Sequence, residues 1–259
     1  MDPRFQRTHG VLDLDTIEKL RSTHIVIAGV GGAGGQVAVD ATRMGIGYLT
    51  LADFDVYERH NSNRQIGCFE STVGQRKIDV VSKLCRDINP ELIIREVPEG
   101  VTPTNVQSLV QGQPGVPAPS YVIEVIDIAG VEAKVLLHRA CRKLGVVAMT
   151  GIMVGLGAAL IVYLPDAPGY DALYVTREGK LDLQRAVPRL GSYMLEDVLQ
   201  RCFRGEGHAP TCVVGAVTAS ALMISEIVRG VMKGAKSMTA WPKTVYVDFF
   251  DRAFQIIEA

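Results

Sequence analysis

No two of the five cysteines, Cys68, Cys85, Cys141, Cys202 and Cys212, form a C-x-x-C pair. A four-thiolate zinc site therefore lacks its ligands, and no zinc is expected. The cysteines are odd in number and widely spaced, which excludes a disulfide framework. No signal peptide opens the chain, since Met1-Asp-Pro-Arg runs into polar residues. Together these absences point to a reducing cytoplasm. An excess of charge of one sign is also missing: the formal net charge is −1 over 259 residues. Bulk charge thus gives no hold on nucleic acid or membrane, though a local basic patch stays open. The uncharged run from Val146 to Leu164 is near the lower limit for a membrane span. It contains Gly151, Gly155 and Gly157 and reads as two buried strands joined by a bend, so no membrane partner is expected. There is no internal repeat and no low-complexity segment. The remainder, 47% hydrophobic and 21% charged, is an ordinary globular composition.

What is present is organised around His24-Ile-Val-Ile-Ala-Gly-Val-Gly-Gly-Ala-Gly34. The β-branched Ile25, Val26 and Ile27 predict a buried parallel strand that turns sharply into a helix. Gly29, Gly31 and Gly34 stand at G-x-G-x-x-G spacing, which directs backbone N–H groups and a helix N-terminus at a phosphate. Gln36 to Met44 has helical apolar spacing and stops at Gly45. Tyr48-Leu-Thr-Leu-Ala-Asp53 is a second strand ending in an acid, placed to accept hydrogen bonds from a ribose. Strand, glycine loop, helix, strand and acid are in register, and a nucleotide site is expected.

A dehydrogenase would continue directly into another helix and strand. This chain instead runs Asp53-Phe-Asp55-Val-Tyr-Glu-Arg-His60-Asn61-Ser-Asn63-Arg64-Gln65, then Gly74-Gln-Arg-Lys77 at the start of a helix that ends at Asn89-Pro90. Two cations, an amide and an acid beside one nucleotide suit charge stabilisation on phosphates better than hydride transfer. Tyr121 to Asp127 is a buried strand with an acid at its carboxyl end. Asp127 is a candidate magnesium ligand, since that ion takes one or two carboxylates plus substrate phosphates. His60 adjoins the phosphate segment, and equally reads as an exposed loop histidine.

Elsewhere, an N-terminal arm carries Arg4, Arg7 and a helix over about 14–21 capped by Asp13 or Asp15. Glu91 to Val97 is a third strand, Thr102 starts a helix, and Val131 to Leu144 is a helix capped by Gly145. Pro165 to Ala209 reads as an irregular insertion, with one amphipathic piece at Tyr193 to Phe203, facing a substrate or a second subunit. Val213 to Met232 is a buried helix, and Thr244 to Asp248 closes the sheet as its last strand.

The glycine loop, Asp53-Phe-Asp55, Asn61-x-x-Arg64-Gln65, Gly74-Gln-x-Lys77 and Asp127 together resemble the ThiF/MoeB adenylyltransferases, relatives of the ubiquitin-activating enzymes. Arg4-Phe-Gln-Arg7 is similar to that family's R-[FY]-x-R opening. The resemblance implies an α/β fold: a Rossmann-like, mostly parallel sheet with helices on both faces and an antiparallel C-terminal extension. One adenylation domain would fill residues 1–259, as an arm (1–22), a nucleotide-binding core (23–165), a variable insertion (166–209) and a buried helix with closing strand (210–259). It also implies ATP and Mg2+ as cofactors, with Gly29, Gly31, Gly32 and Gly34 under the nucleotide. Asp53 would hold the ribose, with Asp55 beside it. Asn61, Arg64, Gln65 and Lys77 would contact the triphosphate, and Asp127 would bind the metal. Arg7 would act on the partner site of a homodimer. The implied reaction is attack of a carboxylate, most often the C-terminal glycine of a ubiquitin-like or sulfur-carrier protein, on the α-phosphate of ATP.

The chain departs from that pattern in several places. The zinc pairs of many members are absent. Glu124 stands where an aspartate is common, and Ile128 replaces the usual Asn or Ser after the magnesium aspartate. Cys212, at the start of the buried helix, is the leading candidate for a thioester or persulfide carrier, ahead of Cys202, although a helical cysteine is more often packing. Asn61 to Gln65 with Val101-Thr-Pro-Thr-Asn105 is also similar to the tRNA threonylcarbamoyladenosine dehydratase branch, which activates a carboxylate on RNA. An NAD-dependent dehydrogenase and a non-catalytic nucleotide-binding scaffold complete the alternatives.

Overall fold

The computed structural model describes residues 2–258 apart from Pro188, Gly205, Gly207 and His208. In chain order the elements are α1 (Leu14–Ser22), β1 (His24–Ala28), α2 (Gly32–Arg43), β2 (Tyr48–Ala52), α3 (Lys77–Ile88), β3 (Ile93–Val97), α4 (Val106–Val110), β4 (Tyr121–Glu124), α5 (Val131–Leu144), β5 (Val147–Val154) and β6 (Gly157–Tyr163). They continue as α6 (Tyr170–Tyr174), α7 (Leu183–Ala186), α8 (Glu196–Phe203), α9 (Val213–Lys233), β7 (Lys243–Asp248) and β8 (Ala253–Glu258).

The strands form one eight-stranded sheet in the order β3-β2-β1-β4-β5-β6-β7-β8. From β3 to β5 all pairs are parallel, with Val26 opposite Thr50 on one side and Val122 on the other. Helical crossovers supply the reach that parallel neighbours require. From β5 onward the pairs are antiparallel. The uncharged run 146–164 is the β5–β6 hairpin, turning at Gly155-Leu156, as its glycines implied.

Both sheet faces are covered, which is why the central strands are apolar without alternation. Ile25 and Ile27 face a core shared with α2, α3 and α9, through Val37, Val81, Cys85, Ala219 and Met223. Val26 and Ala28 face the other core, with Leu109, Leu137, Cys141 and Tyr170. Helix α9 is long and apolar enough to cross a membrane, yet half of its most apolar stretch is buried inside the protein. Its small residues permit that docking: a Cβ on Gly215 would stand 3.0 Å from the carbonyl oxygens of Gly155 and Gly157. Ser220 Oγ donates to Asp40 Oδ2 at 2.6 Å and ties α9 to α2.

Three expectations need amendment. The sheet does not close at Asp248, because β8 pairs beyond β7. Helix α4 starts at Val106, not Thr102: Thr102 and Asn105 first exchange side-chain bonds with each other's N–H groups, at 2.8 and 3.2 Å. The 166–209 stretch also contributes to the core, since Tyr170 and Tyr174 are buried beside Tyr163.

Candidate active site

Strand order reverses between β1 and β4, so the crevice beyond their carboxyl ends is where such a sheet binds ligands. Four segments meet there. The first is the glycine loop. Gly29 has φ +93°, and a Cβ on it would stand 2.5 Å from the Val125 carbonyl oxygen, so only glycine fits. A Cβ on Gly34 would overlap the Gly29 carbonyl oxygen, which explains the close approach of α2 to β1. Beside Gly31 the space is open, with the Gln65 amide nitrogen 3.6 Å away as the nearest atom.

Asp53 fixes this loop. Its Oδ2 accepts from the Val30 N–H at 2.5 Å and its Oδ1 from the Asp55 N–H at 2.8 Å. Burial pushes the Asp53 pKa up, and the two amides and the Lys77 charge oppose that rise. Asp55 carries the more exposed carboxylate. The Lys77 ammonium, on the first residue of α3 and almost fully buried, bonds Asp55 Oδ2 at 2.8 Å.

The polar excursion folds as a small unit with its own apolar centre of Tyr57, Cys68 and Val80. Asn61 is buried in a 3₁₀ turn. Its Oδ1 accepts from the Glu58 N–H at 3.0 Å, and its carbonyl accepts from the Arg64 and Gln65 N–H groups. Those bonds hold Arg64 and Gln65 over the loop. The Arg64 stem passes Gly32, with its Cγ 3.3 Å from where a Gly32 Cβ would stand. Arg64 Nη1 donates to Asn63 Oδ1 at 2.8 Å. Its Nε and the Gln65 Oε1 are both buried without a hydrogen-bond partner. Burial lowers the Arg64 pKa, and the nearby Asp127 carboxylate counters it.

Asp127 follows β4 and is exposed. One oxygen accepts from the Ala129 N–H at 3.2 Å, leaving the other carboxylate oxygen toward solvent. Among the described residues no three His, Cys, Asp or Glu side chains form a metal cage. A single open carboxylate beside the glycine loop still fits magnesium, an ion that commonly takes one or two carboxylates and otherwise keeps water or substrate oxygens. The open face of Gly31, with the Gln65 amide nitrogen and the Arg64 stem beside the loop, fits the phosphates of a nucleotide.

Of the remaining site candidates, Arg7 lies apart and Cys212 lies beside the excursion. Arg7 is exposed and belongs to an arm packed at the far end of α2. The Phe5 ring lies 3.2 Å from a Cβ position on Gly45, and Arg4 Nη2 lies 3.2 Å from Glu91 Oε2. The 12 residues of α2 span about 18 Å between that end and the glycine loop. Cys212 is half-buried at the start of α9, and its thiol donates to the Gly155 carbonyl at 3.3 Å. The neighbouring Thr211 carbonyl accepts from Asn63 Nδ2 at 2.9 Å, which brings this segment to the excursion. Cys202, on α8, is buried, and burial followed by the Asp127 charge raises its pKa. The insertion therefore folds toward the end of β4. Cys85 and Cys141 are core residues, with burial pushing their thiols up to about 11 and about 12.

Sequence reasoning missed Lys134. Its Nζ sits within hydrogen-bond distance of Glu124 Oε1 and of the Ile126 carbonyl, both at 2.6 Å. The signal was available: Lys134 and His138 fall on the same α5 face as Leu137 and Cys141, the face that should be apolar.

The chain is similar to known proteins in both sequence and fold. The chain is 36% identical over 141 residues to the tRNA threonylcarbamoyladenosine dehydratase of Escherichia coli, covering 54% of this chain and 50% of that one. It is 28% identical over 156 residues to the SAMP-activating enzyme E1 of Haloferax volcanii, covering 60% and 55%. The chain thus spans about half the length of these curated relatives. The solved structure of E. coli MccB with ATP superposes with a TM-score of 0.71 at 18% identity, over 100% of this chain and 72% of that one. That of the E. coli dehydratase TcdA gives 0.66 at 25% identity, over 90% and 95%. The ThiF family profile matches residues 5–250, and the chain belongs to the ThiF family.

Proposed function

We propose that this protein is an ATP-dependent adenylyltransferase that activates a carboxylate as an acyl-adenylate. The observation that carries the reading is the placement of two donor side chains over the open glycine loop, the Gln65 amide nitrogen beside Gly31 and the Arg64 stem beside Gly32. A carboxylate oxygen attacks the α-phosphorus of ATP, the bond to the bridging oxygen breaks, and pyrophosphate leaves with that electron pair. The chain's task is positioning and neutralisation of charge. The loop amides and the start of α2 seat the phosphates, Arg64 and Lys77 balance their charge, and Gln65 orients them. Asp53 holds the loop, so the ribose falls to the exposed Asp55 as well as to any free lone pair of Asp53. Magnesium held by Asp127 would supply further charge neutralisation on the phosphates. Arg7 lies too far from its own glycine loop to serve it, which supports a homodimer in which it serves the partner's.

The substrate carboxylate is the C-terminal glycine of a ubiquitin-like or sulfur-carrier protein in the first reading. A second, a carboxylate carried on tRNA, is favoured by the likeness to TcdA over nearly all of both chains. ATP–pyrophosphate exchange under magnesium tests the activation step with carrier and tRNA substrates. Exchange should appear with one of them and fall by a factor of about 10²–10³ in Lys77→Ala. Absence of exchange with every carboxylate, or a Lys77→Ala protein as active as wild type, rejects the assignment. A tRNA gel shift that weakens steeply with salt selects the second reading.

A further inference from the structure

Glu124, the last residue of β4, has no exposed surface, and four groups converge on its carboxylate. Lys134 Nζ and the Ile126 N–H donate to Oε1 at 2.6 and 2.9 Å. Thr150 Oγ1 donates to Oε2 at 3.1 Å, and His138 Nε2 lies 3.6 Å from the same oxygen. Lys134 then donates a second bond, to the Ile126 carbonyl at 2.6 Å. The Ile126 residue is therefore gripped at both its N–H and its C=O by one buried ion pair, and the next residue is Asp127. Glycine contacts close the segment on either side. A Cβ on Gly130 would stand 2.6 Å from Ile126 Cγ2, and one on Gly29 would stand 2.5 Å from the Val125 carbonyl oxygen.

A buried ion pair adds little to stability compared with apolar residues of the same volume. Its place here, clamped on the backbone that carries Asp127, gives it another purpose. We propose that Glu124 and Lys134 are positioning residues that fix the 125–130 segment so that Asp127 faces the phosphates of a magnesium-bound nucleotide. This rests on the adenylation reading for the identity of the ligand.

Two variants test the clamp. Lys134→Met removes the grip on the Ile126 carbonyl and leaves Glu124 without its counter-charge, whereas Glu124→Leu with Lys134→Met removes the pair as a unit and keeps the site apolar and filled. Amide hydrogen exchange by mass spectrometry should run at least about tenfold faster across 125–130 in both proteins, with peptides from β1 and α2 unchanged. Calorimetric titration with ATP, with and without Mg2+, should show that both variants keep the metal-free affinity and lose the gain that magnesium gives the wild type, as Asp127→Asn does. Wild-type exchange across 125–130 in the folded double variant overturns the proposal. So does faster exchange with an undiminished magnesium gain, which makes the pair merely structural. A wild-type protein that binds no ATP rejects the adenylation reading instead, and the exchange comparison still decides whether the pair holds the segment.

Discussion

Gly34 shows how little a single residue of this site can change. Its missing Cβ is the space occupied by the Gly29 carbonyl oxygen, so Gly34→Ala forces β1 and α2 apart. Overpacking of this kind costs about 1–3 kcal/mol, and urea denaturation should report it together with weakened ATP binding. Glu124 gives a pH signature. Burial alone would raise its pKa, but the Lys134 charge and the contacts with His138 and Lys134 outweigh that and hold it down to about 2, below its usual 4.5. A depressed folded-state pKa contributes stability that is complete above the ordinary value and is lost as pH falls toward the folded one. Stability measured by denaturation should therefore decline between about pH 4.5 and 2, and decline less steeply in Glu124→Gln. Equal slopes for the two proteins reject the assignment. Cys212, whose thiol is engaged with the Gly155 carbonyl, is not needed for the activation step as drawn. Cys212→Ser should leave pyrophosphate exchange intact.

Among the elements, α9 is held by small residues and one strong polar tie. Ser220→Ala removes the hydroxyl that bonds the Asp40 carboxylate at 2.6 Å. Hydrogen bonds to charged groups contribute about 1.5–3 kcal/mol, and loss of this one should appear as a lower urea midpoint with an unchanged slope. The elements that sequence made legible are those with a period of their own. The β-branched run of β1, the glycine spacing into α2, the Asp13 cap of α1 and the left-handed Gly145 at the end of α5 all follow from local chemistry. What escaped depends on distant partners. Strand β8 has almost no buried face, with Phe254 and Ile256 exposed, so its residues show no alternation that a sheet would explain. It exists because β7 offers an edge. Lys134 was passed over because a lysine on a helix reads as solvated until Glu124 is known to lie beneath it. At the site, the glycine loop, Arg64, Lys77 and Asp127 were visible as a set. The different surroundings of Asp53 and Asp55 were not, since two acids two residues apart look alike until the Val30 N–H is found on one of them.

At the level of the whole molecule, the proposed role of Arg7 at the partner's site would make activity depend on the dimer. Arg7→Ala and Lys77→Ala should each lack exchange activity alone. Co-expressed, they should recover about one quarter of wild-type activity, because half of the dimers are mixed and each mixed dimer rebuilds one of its two sites. Failure to recover any activity, with mixed dimers shown to form, removes Arg7 from the reaction. The sheet order carries one more consequence, which concerns time. Ile25 pairs with Leu49 on one side and with Tyr121 on the other, so β1 waits for a much later stretch of chain before its second edge is covered. During synthesis the glycine loop, its Asp53 tether and Lys77 emerge first and assemble from near neighbours, whereas the arm bearing Asp127 arrives after β3 and α4 have been made. On the proposed assignment, the magnesium-dependent part of nucleotide binding therefore joins what is made early to what is made late, and it reports that β4 has taken its place beside β1.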